Sequence, residues 1–140
     1  MDSQTITTLL ILSGLGHIAV SLGSLAVPTL LDWKRHLDAN PPLLRQVFWT
    51  YSAYTKLVII ALGLVSIFGA SELVGASFLA KCINFFIVIY WVGRLGVEFI
   101  YYDRSELKGI AKISDWTLNV FIVFFIVVHA AAFARNIQVM

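Results

Sequence analysis

The sequence predicts an all-α integral membrane protein, folded as an antiparallel up-down four-helix bundle. Hydrophobic residues make up 59% of the 140 residues and charged residues only 13%, whereas a soluble domain carries about 25% charged residues. The chain contains four long apolar runs, and a helix needs roughly 20 such residues to cross a bilayer. The connections between the runs are short, which favours antiparallel packing of successive helices.

The four runs predict a single transmembrane domain over residues 1–140, with helices at about residues 5–31, 41–69, 77–102 and 115–135. Spanning strands would be short and alternating, whereas these runs are long and unbroken. Helices also satisfy their own backbone hydrogen bonds in lipid. The first run is too long for the core of a cleaved signal, and no Lys or Arg precedes Lys34, so we expect it to remain as a helix.

Local signals predict how the elements begin and end. Pro28 should kink or loosen the last turns of the first helix. Asn40 is a candidate cap for the second helix, and Pro41 suits its first turn. The fourth helix should be capped by Ser114 or Asp115.

The distribution of Lys and Arg predicts the orientation. Two of the ten, Lys56 and Arg94, lie inside apolar runs, and the side opposite the basic connections holds only Lys81 and Arg135. Because basic loops stay in the cytoplasm, we expect both termini outside. The net charge of +2 then reflects topology and contact with anionic lipid, and not nucleic-acid binding. Six cations mark the cytoplasmic side: Lys34, Arg35, Arg45, Arg104, Lys108 and Lys112.

Charged side chains inside the runs form the first candidate site. A charge at a helix centre in lipid costs about 3 kcal/mol or more, so these side chains should face the interior. Lys56 shares a helical face with Arg45, and Glu98 follows Arg94 by one turn. Helical rise places Lys56, Arg94 and Glu98 at similar depths toward the cytoplasmic side.

This cluster has two cations and one anion. The excess charge is explained by an anionic amphiphile headgroup, by Lys56 reaching toward water, or by loss of its proton. A salt-bridge network that only fixes helix register is the structural alternative. The predicted headgroup-binding residues are therefore Arg45, Lys56, Arg94 and Glu98.

His17 and His129 form the second candidate site. The first and fourth helices of a bundle are neighbours, so the two imidazoles could flank the iron of a b-type haem. A predicted depth mismatch of about 9 Å, from helical rise, counts against this. The alternative is that each imidazole bonds a hydroxyl or carbonyl of a neighbouring helix.

The sequence favours a non-catalytic protein. It has no HExxH pair, nucleophile elbow, P-loop or CxxC motif, and Cys82 is its only cysteine. We predict a subunit or binding module that contacts membrane lipids and other membrane subunits or copies of itself. The alternatives are the haem-binding electron carrier with His17 and His129, and a small enzyme or carrier for a lipid or quinone. No metal site or catalytic residue is predicted.

Four segments carry a family resemblance: GLGH at 14–17, LDWKRHL at 31–37, LLRQVFWTYSAY at 43–54 and YWVGRLGVEF at 90–99. With these, the chain resembles a group of small four-helix bacterial inner-membrane proteins. The resemblance implies a four-helix fold in the inner membrane and carries over no function. In such a membrane, the orientation predicted from Lys and Arg makes both termini periplasmic. The positions that carry it are His17, Trp33, Arg45, Trp49, Trp91 and Arg94.

Overall fold

A computed structural model describes residues 2–105 and 107–138 of the chain. The structure is 88% helical, and the described residues contain no strand. Four stretches are long and apolar enough to cross a membrane: Ser3–Leu30, Pro42–Phe68, Phe78–Tyr101 and Gly109–Gln138. The predicted all-α class and the four long helices are thereby confirmed.

The long helices are α1 (Ser3–Gly23), α4 (Pro42–Phe68), α6 (Phe78–Gly96) and α7 (Gly109–Gln138). Shorter helices lie between them: α2 (Val27–Leu30), α3 (Trp33–Asp38) and α5 (Ala70–Leu73). A 3₁₀ turn at Ser24–Ala26 separates α1 from α2, and a π-helical turn at Val97–Tyr101 extends α6.

Proline acts as predicted at the end of the first helical stretch. The α-helix gives way to the 3₁₀ turn at Ser24–Ala26 and restarts at Val27, one residue before Pro28. The proline ring clashes with the carbonyl four residues earlier, which is that of Ser24, and removes one backbone donor. The helix therefore loosens within the turn before the proline.

The second helix starts near Pro41 as predicted, but the predicted caps of the second and fourth helices are wrong. Pro41, and not Asn40, precedes the first residue of α4, while the Asn40 amide donates to the carbonyl of His36 at 2.9 Å and so closes the end of α3. Helix α7 begins at Gly109 and not near residue 115. Gly109 has φ +54°, a conformation that glycine adopts without strain, so the chain turns into the helix early. Asp115 then lies within α7.

The long helices pack around α1 and α7. Helix α1 packs on α4 and on α7, and α6 packs on α7. The contact between α1 and α4 is close because glycines face each other: a Cβ on Gly14 would lie 2.6 Å from the Gly63 carbonyl oxygen. Small residues at such contacts let helix backbones approach.

Apolar and polar side chains are distributed in the opposite way to a soluble protein. Large apolar side chains cover the outside, among them Leu57 at 60% exposure, Phe86 at 53% and Val127 at 60%. Polar side chains such as His17, Asn84 and His129 are fully buried. The residues that could carry chemistry thus lie between the helices.

Candidate functional site

Two polar clusters lie in the interior. The first, which we call the neutral network, contains uncharged side chains from all four long helices. The second, the charged cluster, lies where α6, its π-helical turn and α7 meet. The members of the neutral network are Ser13, His17, Ser66, Asn84, Trp91, His129 and Asn136. The members of the charged cluster are Arg94, Glu98, Arg104 and Asp115.

Both ring nitrogens of His17 have a partner that fixes the tautomer. Nδ1 lies 2.7 Å from the Ser13 carbonyl oxygen, which only accepts, so Nδ1 carries the proton. Trp91 Nε1 donates to Nε2 at 2.9 Å, because an indole N–H is a donor only. The ring also stacks on Phe125, with centroids 3.9 Å apart. His17 is therefore neutral and held on both sides.

The Asn84 amide determines the tautomer of His129. Its Nδ2 donates to the Leu73 carbonyl at 2.9 Å and to Asn136 Oδ1 at 2.8 Å, so its Oδ1 is the acceptor. His129 Nδ1 lies 3.0 Å from that oxygen and donates to it. The Asn136 amide in turn donates to the carbonyls of Leu73 at 2.9 Å and Gly75 at 2.5 Å.

The remaining nitrogen of His129 accepts from a serine. Ser13 Oγ lies 3.3 Å and Ser66 Oγ 3.4 Å from His129 Nε2. Ser66 donates its proton to the Leu62 carbonyl at 2.8 Å, so the donor to His129 is Ser13. Every side-chain nitrogen of the network then has a partner, and each bond has one direction.

The network bears directly on the haem hypothesis. The two imidazole centroids are 6.1 Å apart, so the predicted depth mismatch is wrong: the helix ends from which depth was counted do not lie at one level. A haem ligand needs a free nitrogen lone pair, whereas each Nε2 here accepts a hydrogen bond within the protein. The contacts favour a role in joining helices, and haem binding by His17 and His129 stays a prediction.

Glu98 lies at the centre of the charged cluster and is 3% exposed. It pairs with Arg94 one turn earlier, and Arg104 Nε lies 3.9 Å from its Oε1. Arg104 also pairs with Asp115 of α7. Two guanidinium groups thus balance two carboxylates, and the predicted pairing of Arg94 with Glu98 is present.

Aromatic rings shield the two guanidinium groups. Arg94 lies over the Tyr102 ring at 5.3 Å, and Arg104 lies over the rings of Phe99 at 4.9 Å and Trp116 at 5.7 Å. Such cation–π contacts stabilise a cation where few water molecules reach it. Each arginine therefore has a carboxylate and an aromatic face.

One buried acceptor beside the charged cluster has no partner. The Asn119 amide donates to the Asp115 carbonyl at 2.9 Å, but within residues 2–105 and 107–138 nothing donates to its Oδ1. A buried amide oxygen without a hydrogen bond costs about 1–3 kcal/mol. This cluster is balanced in charge but incomplete in hydrogen bonding.

Among the described residues, no hydrogen bond or ion pair joins Lys56 or Arg45 to Arg94 or Glu98. The Lys56 ammonium donates to Ser52 Oγ at 2.8 Å, and the described part of the chain offers it no carboxylate. Arg45 pairs with Asp38 at 3.1 Å. No residue between Pro42 and Val58 is buried, so this half of α4 is open. The predicted cluster is thus divided between α4 and α6.

Sequence reasoning missed four polar residues of these clusters. Ser66 and Asn136 continue the polar faces of their helices, three residues after Gly63 and seven after His129, and extending the helical period would have found them. Arg104 pairs with Glu98 and with Asp115 only because the π-helical turn and the following loop bring them together. The sequence contains no signal for that.

A cleft of about 590 Å³ lies where α2, α3 and the start of α4 meet. We call it the interfacial cleft. The rings of Trp33, Phe48 and Trp49 lie against one another, with Trp33 and Phe48 centroids 5.0 Å apart, and join α3 to α4 beside it. Its lining combines both charges with apolar groups: Pro28, Thr29, Asp32, Lys34, Asp38, Arg45 and Trp49.

Comparison of the chain with known protein families, with curated proteins and with solved structures finds no match.

Proposed function

We propose that this chain is an integral membrane protein whose four long helices cross the bilayer as an antiparallel up-down bundle. The apolar exterior and the buried polar clusters support this, because lipid disfavours exposed polar groups. The uneven distribution of Lys and Arg supports cytoplasmic α1–α4 and α6–α7 connections and periplasmic termini in a bacterial inner membrane.

Within that membrane we propose a non-catalytic module that binds the headgroup of an anionic amphiphile at the open half of α4. The observation that carries this is the unbalanced charge of Lys56. Arg94 has its carboxylate within the protein, whereas Lys56 has only a hydroxyl. An anion at Lys56 would neutralise a cation that is costly in lipid. Arg45 lies about 16 Å along α4 by helical rise and would contact the headgroup of a separate molecule at the end of the helix.

The two interior clusters support a binding role over catalysis. The imidazoles and carboxylates that could transfer protons are engaged in bonds inside the protein. The half of α4 without buried residues leaves surface for lipid, for other subunits or for a second copy of the chain. We assign Arg94 and Glu98 a structural role and Arg45 and Lys56 the contact with the headgroup.

Native mass spectrometry of protein purified in mild detergent tests the proposal. We expect a retained anionic phospholipid, and its loss from Lys56→Met. Lys81→Met is the matched control, because Lys81 lies at the first turn of α6 on the opposite side of the proposed membrane. An unchanged lipid complement in Lys56→Met would overturn the headgroup site. A Soret band in the absorption spectrum would instead support the haem alternative.

A further inference from the structure

The interfacial cleft has one ion pair and two further charges without a partner. Arg45 pairs with Asp38 at 3.1 Å across it. Neither the Asp32 carboxylate nor the Lys34 ammonium has an ion pair or a side-chain hydrogen bond among the residues that the structure describes. The cleft therefore offers a free anion and a free cation together.

The position of the free carboxylate is fixed by the backbone. Asp32 has φ +48° and ψ +41°, the left-handed region that Asp tolerates better than most residues. Its carbonyl accepts from His36 Nδ1 at 2.9 Å, which fixes the start of α3. The carboxylate thus belongs to a defined turn at the cleft.

Exposed leucines adjoin the lining residues of the cleft in the sequence. Leu30 and Leu31 come directly before Asp32 and are 44% and 39% exposed, and Leu44 precedes Arg45 and is 52% exposed. Trp49 lines the cleft one turn beyond Arg45. Tryptophan, charge of both signs and exposed leucine at one place are typical of a membrane–water interface.

We propose that the interfacial cleft binds a phospholipid whose headgroup carries a primary amine. Asp32 accepts hydrogen bonds from the ammonium group, Lys34 and Arg45 hold the phosphate, and the acyl chains lie against the exposed leucines. This inference rests on the proposed function and names the lipid class at the Arg45 end of the open half of α4: the phosphate is the anion at Arg45, and the amine is recognised by Asp32. A quaternary amine of equal charge has no N–H group to donate.

The test compares how phospholipids with different headgroups compete for binding to the full-length protein. Purified protein is titrated in nanodiscs of phosphatidylcholine that contain increasing phosphatidylethanolamine or phosphatidylglycerol, and bound lipid is counted by native mass spectrometry. We expect the wild type to retain phosphatidylethanolamine about two- to tenfold over phosphatidylcholine, the range for one net hydrogen bond, because the two headgroups carry the same charge. Asp32→Asn should remove that preference, and because Asn also tolerates the left-handed conformation, the turn is kept.

Asp103→Asn is the matched control. Asp103 lies outside the cleft, and the Ser105 backbone N–H, at 3.0 Å, holds the pKa of its carboxyl below the usual range, so a charge is removed there too. Loss of the preference in both variants, or in neither, would overturn the inference. If the wild type retains phosphatidylglycerol but binds phosphatidylethanolamine and phosphatidylcholine equally, the assignment of Asp32 to the amine is wrong and the proposed function stands. If the wild type retains no phospholipid, both are wrong.

Discussion

The neutral network and the charged cluster solve one problem in different ways. Each buries polar groups among apolar helices. In the neutral network every donor has one acceptor, and the bonds run in sequence from Trp91 through His17, Ser13 and His129 to Asn84. In the charged cluster, arginines that are 31% and 21% exposed surround a buried carboxylate.

The difference shows that well-aligned hydrogen bonds stabilise the neutral network, whereas charge balance stabilises the charged cluster. A hydrogen bond weakens steeply when it is misaligned, so the neutral network depends on the exact rotation and height of four helices. Coulomb attraction falls off gradually with distance, so the charged cluster tolerates a contact as long as 3.9 Å. Four predictions test this contrast, and we give them in order of decreasing effect.

Gly14→Ala should have the largest effect, because it separates α1 from α4 and so disrupts the neutral network. The new Cβ would lie 2.5 Å from Ile67 Cγ1 and 2.6 Å from the Gly63 carbonyl oxygen. We expect a loss of about 3 kcal/mol, at the upper end of overpacking effects. Unfolding in detergent, followed by circular dichroism, measures it. Gly23→Ala is the control, since no atom lies within 4 Å of its Cβ, and equal losses in both variants would contradict the prediction.

Glu98→Leu should break the charged cluster, because it leaves Arg94 and Arg104 with one carboxylate. We expect a loss of about 2–3 kcal/mol, which is less than for a fully buried pair because both arginines are partly exposed. The double variant Glu98→Leu with Arg94→Leu should recover much of this in the same unfolding measurement. Glu72→Leu, at an exposed carboxylate, is the control and should change little. If the double variant is less stable than either Glu98→Leu or Arg94→Leu alone, charge balance is not the cause.

Two asparagines of α7 allow the sharpest comparison. Asn136→Leu removes one of the two acceptors of Asn84 Nδ2, one of the two amide donors to the Leu73 carbonyl and the amide donor to the Gly75 carbonyl, and should cost about 2 kcal/mol. Asn119→Leu removes a buried oxygen that has no donor and should leave the stability unchanged or raise it by about 1 kcal/mol. Both are measured as shifts of the unfolding midpoint. Equal destabilisation by the two would show that Asn119 has a partner of its own.

Trp91→Phe should be the least destabilising of the variants that lose a bond, at about 1 kcal/mol, because it removes one donor from His17 Nε2 and keeps most of the ring. A double-mutant cycle with His17→Phe isolates this bond. We expect a coupling energy of about 1 kcal/mol between the two positions. Additive effects would mean that the bond contributes nothing to stability.

Much of this architecture could be predicted from the sequence, because length and apolar content determine which segments form long helices. Helical periodicity also predicted which face each charge lies on, and the Arg94–Glu98 pair follows from a separation of four residues within one helix. Lys56 illustrates the limit. Its depth along α4 was estimated, but whether α4 approaches α6 at that depth depends on packing, and the structure leaves that half of α4 without buried residues.

The sequence by itself determined four apolar helices, the unequal distribution of Lys and Arg between the two ends of the helices, and the presence of polar side chains inside apolar segments. Only the tertiary structure decided which polar atoms meet: His17 with Trp91, His129 with Asn84, and Glu98 with Arg104 through a π-helical turn. The physical reason is that periodicity specifies a face, whereas a hydrogen bond requires the axial offset and rotation of two helices to within a few tenths of an ångström, and close contacts such as Gly14 against Gly63 set both.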